Sequence, residues 1–330
     1  MGRPPSTTRP VGLFCGLAVV DVIQLVQAPP GPDDKIIALD QLIAAGGPAT
    51  NAAVAFAALG GRAILAAPVG AGPLAELVGA DLAGTGVELL DCSDCSDRSD
   101  RSGGSDSAGP APGLSVSSCT ITAGTGRRSV ISTNARAAVD TAPLDRHAAR
   151  MACGQEPPPD VVLIDGHNPA LACAALDLAA RAGALTVMDA GSWKDAAARL
   201  PGRCDVVAAS ARFYPPGPTG SVTAPRDVAH WLLDAGARGV VITRGARPAL
   251  WWCAGGHDSV APPQVAAVDT LGAGDVFHGA LAHALAGTRR DDLTGPALGA
   301  AVERACDVAA ASTEVFGTRA WRQRVRGRGI

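Results

Sequence analysis

Asp269-Thr270-Leu271-Gly272-Ala273-Gly274-Asp275 runs without a break into Val276-Phe277-His278-Gly279-Ala280-Leu281-Ala282-His283-Ala284-Leu285. Apolar residues recur at 277, 281, 284 and 285, the three-to-four spacing of an amphipathic helix, so the stretch predicts a glycine-rich turn at a helix N-terminus. Glycines let such a turn close tightly and bring its backbone up to a ligand. The first N–H groups of a helix have no intrahelical acceptor and sit at the positive end of its dipole, which suits a phosphate. Asp275 is out of place in a plain phosphate site, because a carboxylate repels the phosphate. It is either a capping aspartate or a general base that takes a proton from an attacking hydroxyl, beside N–H groups that stabilise a transferring phosphoryl.

The string Asp-Thr-Leu-Gly-Ala-Gly-Asp-Val-Phe over 269–277 resembles the C-terminal signature D-T-x-G-A-G-D-x-F of the PfkB, or ribokinase-like, carbohydrate kinases. The resemblance runs over nearly the whole chain and is strongest to the ketohexokinase and sulfofructose kinase branches. It implies a single domain over 1–330: a doubly wound, mostly parallel α/β sheet flanked by helices, with a small β-sheet lid. It also implies an ATP-dependent sugar kinase in which Asp275 is the base and the N–H groups of Gly272, Ala273 and Gly274 form the anion hole, with Asp269 and Thr270 supporting the turn.

Working outward, Val11–Val20 is a nearly continuous apolar run ending at Asp21, which reads as one buried strand with a carboxylate at its exit, where open α/β sheets bind ligands. Taken alone, Asp21 is better explained as a turn residue; the resemblance makes it a holder of sugar hydroxyls. Residues 22–27 and 35–43 read as two strands around Pro29-Pro30-Gly31-Pro32, and Ser115–Ala123 with Arg128–Thr133 as a second hairpin. The lid would therefore be built from about 22–43 and 115–133. Lys35, one of only two lysines, is either an edge-strand charge or a contact to an anionic substituent of the sugar. Arg128 stands where relatives place substrate-facing polar groups. Ala45-Gly46-Gly47-Pro48-Ala49-Thr50-Asn51 leads into an alanine-rich helix closed by Gly60. It resembles the N-terminal family signature, with Gly46, Gly47 and Asn51 as sugar contacts and Pro48 as a departure.

Short apolar strands at 160–164, 185–188, 205–208 and 239–243 alternate with helices at 169–182 and about 193–200, the pattern of βαβ units in a parallel sheet. Asp165, His167 and Asn168 follow the first of these strands. His167 stands where sulfofructose kinases carry a sulfonate-facing arginine, and a loop histidine of no function is the competing reading. Asp189 ends the next strand without the D-x-N-x-R continuation, and Ser210-Ala211-Arg212-Phe213 replaces the N-x-x-E of many relatives. Thr243 and Gly245 resemble the turn at the nucleotide phosphates, Pro262 lies in the segment that flanks adenine in relatives, Thr270 completes the nucleotide side, and a helix over about 295–312 forms the other adenine wall. No Walker A motif is present. No protein ligand to a metal is identified; Mg²⁺ would arrive on the ATP phosphates.

The composition, 47% hydrophobic and 18% charged with a net charge of -3, is that of a globular chain without general attraction to nucleic acid or membrane. Nine cysteines, an odd and scattered count, fit a reduced cytoplasmic protein. No apolar run reaches membrane-spanning length. Residues 91–113 are acidic, rich in Ser and Gly, and predict a disordered insertion; the arginines from 319 to 328 predict a solvated basic tail. The expected partners are sugar, ATP and a second copy bound through the lid. A ribokinase or nucleoside kinase is the alternative within the family. A non-catalytic sensor on the same fold is the rival of another class, opposed by the intact Asp275. A dehydrogenase rests only on Gly70-Ala71-Gly72-Pro73-Leu74-Ala75, a poor dinucleotide fingerprint.

Overall fold

The computed structural model describes residues 9–94, 113–217 and 220–328. Nine strands form the main sheet: β1 (Val11–Cys15), β4 (Arg62–Ala67), β5 (Val87–Asp91), β8 (Val161–Ile164), β9 (Leu185–Ala190), β10 (Val206–Ser210), β13 (Gly239–Arg244), β14 (Arg247–Cys253) and β15 (Gly256–Val260). Their order is β15-β14-β13-β10-β9-β8-β1-β4-β5, with β14 and β15 antiparallel and all other pairs parallel. The inner strands β1, β4, β8 and β10 are largely apolar and buried on both sides because both faces are covered, whereas edge strand β15 is polar and exposed. Along β8, Val161 and Leu163 pack into the core formed with α1 (Pro48–Ala58), α6 (Ala273–Leu285) and α7 (Gly295–Ser312). Val162 and Ile164 face the opposite core, shared with α4 (Pro169–Ala182) and α5 (Pro225–Asp234).

A separate sheet ordered β3-β2-β6-β7 is the lid: β2 (Val19–Val26), β3 (Asp40–Gly46), β6 (Val116–Thr122) and β7 (Arg127–Ser132). The remaining elements are α2 (Pro73–Ala83), α3 (Ala142–Ala152), α8 (Trp321–Arg328) and the two-residue strands β11 (Pro216–Gly217) and β12 (Gly220–Ser221). Among the described residues no helix is long and apolar enough to cross a membrane.

Four expectations change. The run 11–20 is two strands in two sheets, so Asp21 lies inside lid strand β2 and not at the exit of a core strand. The break comes at Gly16, where a Cβ would overlap the Asp165 carboxylate; Asp165 Oδ2 takes the Leu17 N–H at 2.7 Å and the Ala49 N–H at 3.2 Å in place of a ladder partner. The first lid hairpin is shorter than 22–43, because 27–39 is irregular around prolines that cannot donate to a ladder. Residues 193–200 form only a 3₁₀ turn at Asp195–Ala197. At the edges of the 91–113 stretch, Asp91 ends β5 and Ser93 bridges Val139; residues 95–112 lie outside the described residues.

Candidate active site

Gly272 caps α6 with φ 72°, a left-handed conformation in which glycine avoids the usual Cβ penalty. Asp269 braces the turn before it: Oδ1 accepts the Leu271 N–H at 2.8 Å and Oδ2 the Gly317 N–H at 2.9 Å. The Thr270 hydroxyl and N–H both donate to the Gly126 carbonyl of the lid, at 2.7 and 3.2 Å. The Ala273 N–H makes a long return bond to Thr270 O at 3.4 Å, whereas among the described residues no intramolecular acceptor takes the N–H of Gly272, Gly274 or Asp275. Nothing lies within 4 Å of where a Gly274 Cβ would project. The turn thus offers unsatisfied donors and open space, as an anion requires.

Asp275, in the first turn of α6, accepts from Asn51 Nδ2 at 2.9 Å. Asn51 is in the first turn of α1, whose cap Gly47 has φ 99°; a side chain there would also strike the Leu17 carbonyl. Gly46 makes room for Asp21, whose carboxylate occupies the space of a Cβ. Gly279 lets α6 lie against α1, since a Cβ there would overlap the Ala52 carbonyl. Burial pushes the Asp275 carboxyl up to about 7, helped by Asp189 and opposed by the Asn51 hydrogen bond, His278 and Arg128. Burial likewise raises Asp21 to about 6, against the Ser117 hydrogen bond and the charge of Arg319. Beneath the site, His278 Nδ1 lies 2.9 Å from Asp189 Oδ2, both side chains buried. Burial depresses the His278 pKa, but the carboxylate of Asp189 and its hydrogen bond outweigh that and leave the imidazole above its ordinary value.

Asp21, Gly47, Asn51, His167 and Asp275 line one cavity of about 230 Å³, together with Ser117, Ser132, Asn134 and Leu271. His167 Nδ1 is 2.6 Å from Asn134 Oδ1, and burial lowers its pKa, so the ring is neutral at neutral pH. Gly46 supports this cavity from beneath Asp21, and Thr270, Gly272, Ala273 and Gly274 flank it on the turn.

Other expected contacts lie elsewhere. Lys35 is exposed in the irregular 27–39 loop, outside the cavity. Arg128 does not line it either; its Nη1 donates to the Thr270 carbonyl at 2.7 Å, spending its charge on tying lid to turn. Thr243, at the end of β13, and Gly245, in the β13–β14 turn with φ 65°, are separate from the cavity, as is Pro262 beyond β15. The basic tail is not simply solvated: Arg319 bonds Asp81, Ala45 and Asn51, and Arg322 donates to the Gly84 carbonyl. Sequence reasoning missed Arg319 and the Asp165 brace, whose partners are distant along the chain.

Among the described residues no three His, Cys, Asp or Glu side chains gather to hold a metal. The unpartnered N–H groups at the head of α6 fit nucleotide phosphates, with which a divalent ion would come.

A doubly wound sheet, a small sheet over a cavity that holds two carboxylates, and one of those carboxylates beside a helix N-terminus are the features of a phosphotransferase that acts on an alcohol group. The family model described as pfkB family carbohydrate kinase matches residues 114–323, and the chain belongs to that family. Three solved structures share the fold. The ribokinase from Giardia lamblia is 13% identical with a TM-score of 0.74, covering 97% of this chain and 99% of its own. A microbiome-derived acarbose kinase is 21% identical with a TM-score of 0.72, covering 97% and 100%. The fructokinase from Xylella fastidiosa, solved with bound ATP, is 16% identical with a TM-score of 0.66, covering 97% and 99%.

Proposed function

We propose that this carbohydrate kinase moves the γ-phosphoryl of ATP to a primary hydroxyl of an uncharged ketose of the fructose type. The observation that carries the reading is Asp275: a carboxylate raised to about 7, in the sugar-sized cavity and beside the unpartnered N–H groups of the α6 turn. A base poised near neutrality suits proton abstraction from a hydroxyl. ATP supplies the phosphoryl group, and Mg²⁺ on its phosphates offsets their charge. Asp21, Asn51 and the backbone at Gly47 hold the sugar, and Asp275 takes the proton of the attacking oxygen. The N–H groups of Gly272 and Gly274, with that of Ala273, face the charge that develops on the transferring group. Thr243, Gly245, Pro262 and Thr270 belong to the nucleotide side of this reading. A sensor has no use for such a base.

The cavity favours an uncharged sugar over a sulfonated one. Its charged side chains are the carboxylates Asp21 and Asp275, His167 is neutral, Arg128 is engaged and Lys35 lies outside. At about 230 Å³ it is below the roughly 300–1,000 Å³ of sites for drug-sized ligands, which suits a monosaccharide better than a nucleoside. The lid exposes Ile37 at 91%, Ile131 at 78% and Leu39 at 58%, and this apolar surface supports a homodimer through the lid. The eight described cysteines are free, which suits the reducing cytoplasm.

The test is ATP turnover with Mg²⁺ against fructose, sulfofructose, ribose and adenosine, with Asp275→Asn beside the wild type. Turnover with fructose that falls by about 10³-fold in Asp275→Asn is expected. Undiminished turnover in that variant removes the base, and stimulation by adenosine alone removes the ketose.

A further inference from the structure

We infer that Arg319 is a positioning residue for phosphoryl transfer, fixing the Asn51 side-chain amide so that its NH₂ group faces Asp275. The inference rests on the reading of Asp275 as the base. Asn51 carries a donor end and an acceptor end, and Arg319 Nη1 donates to its Oδ1 at 3.2 Å. A guanidinium has only donors. Holding Oδ1 therefore leaves Nδ2 for Asp275 Oδ2, at 2.9 Å. A turned-over amide would set NH₂ against guanidinium and carbonyl against carboxylate, two repulsive contacts in place of two bonds.

Arg319 is itself held from several sides. Nε and Nη2 donate to Asp81 Oδ2 at 3.0 and 2.8 Å, Nη2 to the Ala45 carbonyl at 2.6 Å, and Nη1 to the Thr318 carbonyl at 3.0 Å. The arginine side chain is 12% exposed. A rigid fork that bridges a carboxylate, a main-chain carbonyl and an amide is a role lysine cannot fill, because one ammonium cannot span them. The line Asp81–Arg319–Asn51–Asp275 joins α2, the segment before α8, α1 and α6. Its last bond favours the ionised form of Asp275, along with His278 of the same helix and Arg128 of β7, against Asp189 of β9. Freeing Asn51 would raise the pH at which Asp275 can act and spread its position.

The experiment compares Arg319→Met and Arg319→Lys with wild type in full-length protein, using whichever panel sugar supports turnover. Arg319→Lys keeps a cation opposite Asp81 and serves if the Met variant fails to fold. For both, kcat is expected to fall about tenfold, as for loss of a hydrogen bond to a charged group, with the ATP KM within about twofold of wild type. The acid limb of kcat should move up by about one pH unit. In an Asn51→Ala background, either substitution should alter kcat by less than about twofold, because the path to Asp275 is already cut. A wild-type kcat and pH limb in Arg319→Lys, or effects that multiply in the double variant, overturn the inference. Those results with Asp275→Asn still inactive sink only the role of Arg319; an active Asp275→Asn sinks the functional reading itself. The titration of Asp275 read from the pH dependence of unfolding supplies a readout without sugar. It moves up in Arg319→Lys if Asn51 is released, and an unmoved midpoint contradicts the inference.

Discussion

Replacing Asp275 by asparagine should inactivate the protein and make it more stable, by an amount that depends on pH. The carboxyl has an ordinary value of 3.8 and stands at about 7 in the fold. The folded chain therefore keeps a proton that the unfolded chain releases, and between these two values stability declines as pH rises. Above the upper value the cost is complete. The interval of about 3 pH units at 1.36 kcal/mol each bounds it at about 4 kcal/mol. Asparagine is nearly isosteric and can still accept from Asn51 through its carbonyl, so the variant escapes the charge cost without losing the contact. For a chain of this size that is a rise of several degrees in Tm at pH 8, shrinking to nothing near pH 4. Thermal unfolding of both proteins across that range measures it. An equal Tm at pH 8, or a difference that does not vary with pH, would refute the claim that the fold holds this carboxylate at an electrostatic cost.

Two further outcomes follow from the geometry. Gly279→Ala would place a methyl group on the Ala52 carbonyl and force α6 from α1; a loss of about 1–3 kcal/mol in chemical denaturation is expected, and unchanged stability would show that the two helices have slack. Ile37→Glu with Ile131→Glu should convert a dimer to monomer in sedimentation with the monomer still folded, while an unaltered sedimentation coefficient would mean that these side chains do not hold two copies together.

Much of the candidate site is legible in the chain because the residues that line the cavity sit largely in two local patterns. The Gly272-Ala273-Gly274-Asp275 turn announces a helix N-terminus, and Gly46-Gly47 before Asn51 announces another. What was hidden depends on distant contacts. Gly16 looks like one more small residue in an apolar run, and only Asp165, 149 positions later, shows why the strand ends there. Arg319 belongs by composition to a basic tail, and nothing local says that Asp81 and Asn51 will hold it. Lys35 matches a sulfonate contact only by resemblance, and the strand expected over 35–43 begins at Asp40, which leaves Lys35 in the loop. Arg128 fell on the expected lid strand, yet its side chain met a backbone carbonyl first.

The docking of Gly126 on Thr270 has a kinetic meaning. One carbonyl of the lid accepts both donors of the residue that leads into the α6 turn, and Arg128 returns a bond to that residue's own carbonyl. Swinging the lid outward breaks all three links at once. The turn before α6 and the lid are thus coupled, and displacing one removes bonds that hold the other. On the proposed reading, a lid displaced before the sugar arrives would leave the donor phosphates facing a loosened turn, which would discourage wasteful hydrolysis.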